Sequence, residues 1–142
     1  MAAGDVKLLG KREHEAVEAA VARAEAATGL EFCIFLGSVD DDRPRDHAEA
    51  MFVQAGMQER PAILLVVAPR QRRVEVVIGT HARQRISDGD AAAAVKVMTA
   101  SFRLGHLAPG VIAGVDHLAA SAGPGVREAG EVDLPNVIDE DG

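Results

Sequence analysis

Two short runs without a polar residue, Phe32-Cys33-Ile34-Phe35-Leu36 and Ala62-Ile63-Leu64-Leu65-Val66-Val67, constrain the fold of this chain more than any other feature. Both have strand length, and neither alternates apolar with polar positions. A strand of that kind needs cover on both faces, as in the middle of an α/β layer structure. Between the runs, Pro44 follows Asp40-Asp41-Asp42, and both features favour the first turn of a helix. The periodicity predicts that helix to about Met57, with Ala48, Met51, Phe52 and Ala55 inward. Two strands joined through a helix form a right-handed parallel βαβ unit.

A third strand, residues 74–78, follows the second after only Pro69-Arg70-Gln71-Arg72-Arg73. That connection is too short for a parallel crossover and predicts a hairpin. Glu75 gives the third strand one partly wet face. Upstream, Val17, Ala20, Val21 and Ala24 recur at helical spacing over residues 11–28, and Gly29 stops the helix. Downstream, a short turn or helix covers residues 81–86. Ser87-Asp88-Gly89-Asp90 has the pattern of a capping box ahead of a helix with Ala91, Val95, Met98 and Phe102 inward. Gly105 ends that helix. Pro109 begins a last one, with Val111, Val115 and Leu118 inward.

The expected fold is therefore α/β: a three-layer α/β/α sandwich whose small mixed sheet joins a parallel βαβ unit to an antiparallel hairpin strand. Its expected organisation is an N-terminal lead-in over 1–10, one domain over 11–122 and a flexible acidic tail over 123–142. A chain of 142 residues is long enough for one core.

Charge excludes some partners. The net charge is −7, but residues 126–142 hold six acidic residues against one arginine, leaving 16 acidic and 14 basic residues elsewhere. So balanced a body has no general basic field for a nucleic-acid backbone. The aromatic residues are four phenylalanines, which leaves little for base stacking. No run approaches the roughly 18 apolar residues of a membrane span, so membrane insertion is not expected. The N-terminus lacks the pattern of a secretion signal, which predicts a cytoplasmic protein.

Most candidate chemistry has a plain structural reading. The single cysteine, Cys33, forms no internal disulfide and lies in an apolar run, as a small buried hydrophobe does. His14, His47, His81, His106 and His117 lack zinc-ligand spacing. Ser38 and Ser101 have no nucleophile-elbow motif, and neither Gly37-Ser38 nor Gly79-Thr80 forms a phosphate-binding loop. Asp40-Asp41-Asp42 lacks the spacing of an EF-hand and reads as a solvated acidic loop.

Asp88 is the exception. It follows a strand, a glycine and a basic turn, and it stands at the start of a helix with Arg83 and Arg85 close by. Capping or ion pairing is its simplest role. The topology also brings the end of the third strand beside the start of the second. Gly79, Arg83 and Asp88 are therefore the ligand-binding candidates, and a cation there would be shared by Asp88 and Glu59.

Several segments carry a resemblance: Ala24-Glu25-Ala26-Ala27-Thr28-Gly29-Leu30-Glu31-Phe32, the second and third strands through Gly79, and Arg85-Ile86-Ser87-Asp88. The most specific are Met98-Thr99-Ala100-Ser101-Phe102-Arg103-Leu104-Gly105 and Gly110-Val111-Ile112-Ala113-Gly114. Together, over residues 13–120, they resemble the TPM domain family, and within it a bacterial branch of unknown function. The resemblance implies an α/β/α sandwich. Other members are linked to membrane-protein maintenance and receptor modulation, and some to calcium binding or acid phosphatase activity. Asp88 matches the aspartate that follows the third strand in their acidic pocket. Glu59 stands where an aspartate is usual, Asp5 falls in the segment before the first helix, and His106 replaces a common acid. The resemblance thus implies a non-catalytic accessory or protein-binding module with an unidentified protein partner and no cofactor. The alternative is a metal-dependent phosphatase with calcium or magnesium at the Asp88 end.

Overall fold

A computed structural model of the chain describes residues 8–125 and 137–139. The first apolar run forms β1 (Glu31–Leu36) and the second forms β2 (Ala62–Ala68), paired in parallel from Glu31↔Ala62 to Leu36↔Val67. β3 (Arg73–Ile78) returns antiparallel to β2, from Ile63↔Ile78 to Ala68↔Arg73. Among the described residues four helices accompany the strands: α1 (Lys11–Thr28), α2 (Pro44–Gln54), α3 (Asp88–Arg103) and α4 (Leu107–Ala122). Single 3-10 turns, Pro69–Gln71 and Ala82–Gln84, lie on either side of β3.

The strand alternation sorts the core into two layers. Phe32, Ile34 and Leu36 of β1, with Ile63, Leu65 and Val67 of β2 and Val76 and Ile78 of β3, pack with α1, α3 and α4. Cys33, Leu64, Val66 and Val77 point the other way, toward Ala48 and Phe52 of α2. Both faces of β1 and β2 are covered, as their unbroken apolar runs require, and the expected mixed α/β sandwich is what the chain forms.

α4 lies close against both α1 and α3. Its approach to α3 depends on two glycines. A Cβ at position 114 would lie 2.5 Å from Cγ and Sδ of Met98, and one at position 110 would lie 2.5 Å from Cε1 of Phe102. The Gly110-Val111-Ile112-Ala113-Gly114 segment is thus a pair of sockets for side chains of α3.

Several sequence expectations need adjusting. Pro109 occupies the third position of α4, not the first; a missing N–H costs nothing there either, because the first-turn N–H groups have no intrahelical acceptor. α2 stops at Gln54, leaving Ala55 exposed, because Gly56 turns the chain at a φ of 73°. On α3, Ala94 and Met98 are buried, whereas Ala91, Val95 and Phe102 are only half-buried. The reason is position, since α3 lies over the outermost strand, β3. Leu9, in the lead-in, is 2% exposed and joins the core. Within the expected tail, Val137–Asp139 form β4, which pairs in parallel with Ile34–Leu36 and completes the order β3-β2-β1-β4. The rest of 126–142 lies outside the described residues.

Candidate functional site

Gly79 leaves β3 at a tight point beside the start of β2. Its N–H donates to the Ala62 carbonyl at 3.0 Å, and a Cβ would lie 3.1 Å from that oxygen and 3.2 Å from the Arg60 carbonyl. A side chain would push β3 away from the start of β2. Gly79 is therefore explained by close packing. Its own carbonyl accepts the Arg83 N–H at 3.0 Å, which starts the 3-10 turn and swings Arg83 back toward α3.

Arg83 and Asp88 meet there. Arg83 Nη1 donates to Asp88 Oδ1 at 2.7 Å, with side chains 47% and 85% exposed. Asp88 is the first residue of α3 and not its cap. The cap is Ser87, whose hydroxyl accepts the Asp90 N–H at 3.1 Å while the Asp90 carboxylate accepts the Ser87 N–H at 3.0 Å. The hydrogen bond from the Ser87 N–H, followed by that with the Ser87 hydroxyl, holds the Asp90 carboxyl below its ordinary range. Arg85 takes no part in this cluster. Its guanidinium donates to the Thr28 and Gly123 carbonyls, both at 2.6 Å, and to Ala122 and Pro124. It ties together the C-terminal ends of α1 and α4, whose last carbonyls have no partner within their own helices.

Glu59 lies in the turn before β2, exposed, and no hydrogen bond or ion pair joins it to another described residue. The acid with a structural role at this edge is Glu31, 1% exposed, which receives Arg60 Nε and Nη2 as a two-pronged pair, each at 2.6 Å. Such a fork suits a guanidinium and a carboxylate, and burying the acid requires it. Among the described residues, no group of three or more His, Cys, Asp or Glu side chains is placed to hold a metal ion.

The remaining candidates are satisfied locally. Burial, and after it the Glu25 carboxylate, pushes the Cys33 thiol up to about 11, so it stays protonated. Asp40 Oδ1 accepts the N–H groups of Asp42 and Arg43 at 2.9 and 3.0 Å, which turns the loop into α2 and lowers its carboxyl pKa. His14 pairs with Glu18 along α1, and His47 Nδ1 accepts the Asp40 N–H.

Beside the Arg83–Asp88 pair runs a groove of about 380 Å³, lined by Arg45, Glu75, Val76, Ala91, Ala92 and Val95. β3 is an edge strand, and among the described residues no strand pairs with its outer side. Arg45 of α2 reaches that side, where its Nη1 donates to the Val76 carbonyl at 2.6 Å. Neither this contact nor the Glu31–Arg60 pair was legible in the sequence. Both need the sheet register to bring together residues about 30 positions apart.

A family model described as "Domain of unknown function (DUF5130)" matches residues 7–119. The chain belongs to that family. The match covers every described element of this DUF5130 domain except the end of α4 and β4. Two uncharacterised proteins of Mycobacterium tuberculosis, MT2543 and Rv2468c, are each 32% identical to it over 112 residues. These cover 78% of this chain but 65% of each relative's length. Among solved structures, the BA42 protein of Bizionia argentinensis is similar in fold, with a TM-score of 0.76 at 20% identity over 93% of this chain and 94% of that one. The N-terminal domain of a P. gingivalis protein is also similar, with a TM-score of 0.70 at 24% identity over 80% and 76% of the two chains. At these identities the likeness concerns the fold.

Proposed function

We propose that this DUF5130 domain is a non-catalytic accessory module of the TPM type, working in the cytoplasm and binding a protein partner through the groove between α3 and β3. The observation that carries this reading is the outer edge of β3, with which no described strand pairs. Alternation along the strand turns the backbone groups of Val74 and Ile78 outward with those of Val76. Arg45 occupies the middle carbonyl, a charged guard that hinders unspecific strand pairing. The polar groups on either side remain for an extended segment laid along the edge. α3 supplies an apolar wall through Ala91, Ala92 and Val95, and the Arg83–Asp88 pair and Glu75 supply a polar rim. An apolar centre with a polar rim is the ordinary anatomy of a protein interface. The TPM-like segments and the sandwich support the family reading, and Asp88, engaged by Arg83, supports binding over metal-dependent hydrolysis.

Photo-crosslinking in the native cell tests the proposal. A photoreactive residue at Ala92, exposed in the groove, is expected to give a discrete adduct that the same residue at Ala22, exposed on α1, does not. Equal labelling at both positions, or none at Ala92, would contradict it.

A further inference from the structure

We infer that the opposite end of α3 carries a second site, which binds a small organic anion: a phosphate or carboxylate on an apolar body. The inference is independent of the protein-binding reading. It starts from a cavity of about 680 Å³ between the β2–β3 hairpin and the turn from α3 to α4. That volume lies in the usual range of small-molecule sites, roughly 300–1,000 Å³.

The charge of the cavity is the reverse of the charge of the chain. Arg72 reaches it from the hairpin and Arg103 from the last turn of α3, Arg73 stands at its rim, and no carboxylate is among its described lining residues. The guanidinium groups of all three make no hydrogen bond or ion pair with any other described residue. Several other arginines are engaged: Arg45 on Val76, Arg60 on Glu31, Arg83 on Asp88 and Arg85 on carbonyls. In a chain of net charge −7, two such groups at one concavity, with a third at its rim, are a concentrated anion receptor. Guanidinium forks match phosphate and carboxylate oxygens in pairs.

The walls are apolar. Half-buried Val74, Phe102 and Leu107 line the same space, and Leu104, 72% exposed, stands next to it in sequence between two lining residues. A bare inorganic ion would leave this surface unused, so the ligand combines an acid group with an apolar body.

The hairpin is also held in place. Gln71 Nε2 donates to the Val39 carbonyl at 2.7 Å and to Asp41, and Gln71 Oε1 accepts the Val39 N–H at 2.8 Å. The next residue, Arg72, adopts a φ of 56°, the left-handed region that glycine occupies without strain. An arginine kept in that conformation points to a role for its side chain.

Calorimetric titration of the full chain with phenyl phosphate, benzoate, inorganic phosphate and benzyl alcohol tests the site. Saturable one-to-one binding of phenyl phosphate or benzoate is expected, at least about tenfold tighter than either inorganic phosphate or benzyl alcohol. The tighter of the two acids identifies the preferred head group. Arg103→Gln is expected to weaken binding by roughly tenfold or more. Arg72→Gly, which relieves the backbone strain, should weaken it comparably while the melting temperature stays level or rises. If neither acid saturates below about 10 mM, or if both variants bind like the parent, the site does not exist as described.

Discussion

Cys33 shows how a single residue reports on its layer. Its thiol is 3% exposed between the sheet and α2, and burial favours the neutral form. A thiol in the unfolded chain is half-ionised near 9.0, whereas burial delays that point to about 11 for this one. Between those values the folded state binds more protons than the unfolded state, so stability falls as pH rises. The contribution is fully present below pH 9 and is lost through about pH 11. Urea titrations at several pH values should show a decline over this window of about 2–3 kcal/mol in the parent relative to Cys33→Ala. Parallel curves for the two proteins would mean that the thiol is solvated. The same residue-scale logic separates Arg83 from Arg85. Both stand close to Asp88 in sequence, which made either a plausible partner. Only Arg83 has the short path to it. Arg85 serves carbonyls up to 57 positions away, a role that depends on where α1 and α4 end and is invisible in the local sequence.

At the scale of elements, the α3–α4 pair is the most exacting contact. Gly114 receives Met98, which is 0% exposed and has no room to swing away. Gly114→Ala is therefore expected to cost about 1–3 kcal/mol by overpacking, despite alanine's better helix propensity. Chemical denaturation checks this, and a neutral or stabilising effect would show that the helices can separate at little cost. The elements themselves were legible because periodicity and punctuation agree: the apolar runs of β1 and β2, the hairpin length, and the Ser87–Asp90 capping pattern. β4 was concealed by its surroundings. Val137-Ile138-Asp139 sits in an acidic stretch, and three residues carry no usable period. Only the free edge of β1 gives them a place. The face of α3 was overestimated for a related reason, since a helix over an edge strand has less sheet to cover it.

For the whole molecule, a nearly neutral body hides local charge. The residue counts give the body no general basic field, yet the fold gathers Arg72, Arg73 and Arg103 around one cavity with no carboxylate among its described lining residues. It also places the two concavities at opposite ends of α3, each against the side of β3 that no described strand pairs with. The candidate site was thus legible in part: Gly79, Arg83 and Asp88 converge as their order in the chain suggests, while Glu59 remains exposed and without a partner among the described residues. In the proposed function the Asp88 end is an ion-paired rim of a binding surface, with no resident cation. A ligand that binds only the folded state raises the melting temperature by mass action, so thermal unfolding with about 5 mM calcium or magnesium tests that claim most directly. The account predicts a parent midpoint unchanged within about 1 °C and the same result for Asp88→Asn. A rise of several degrees with either cation in the parent, lost in Asp88→Asn, would contradict it and favour a metal-dependent activity at this edge.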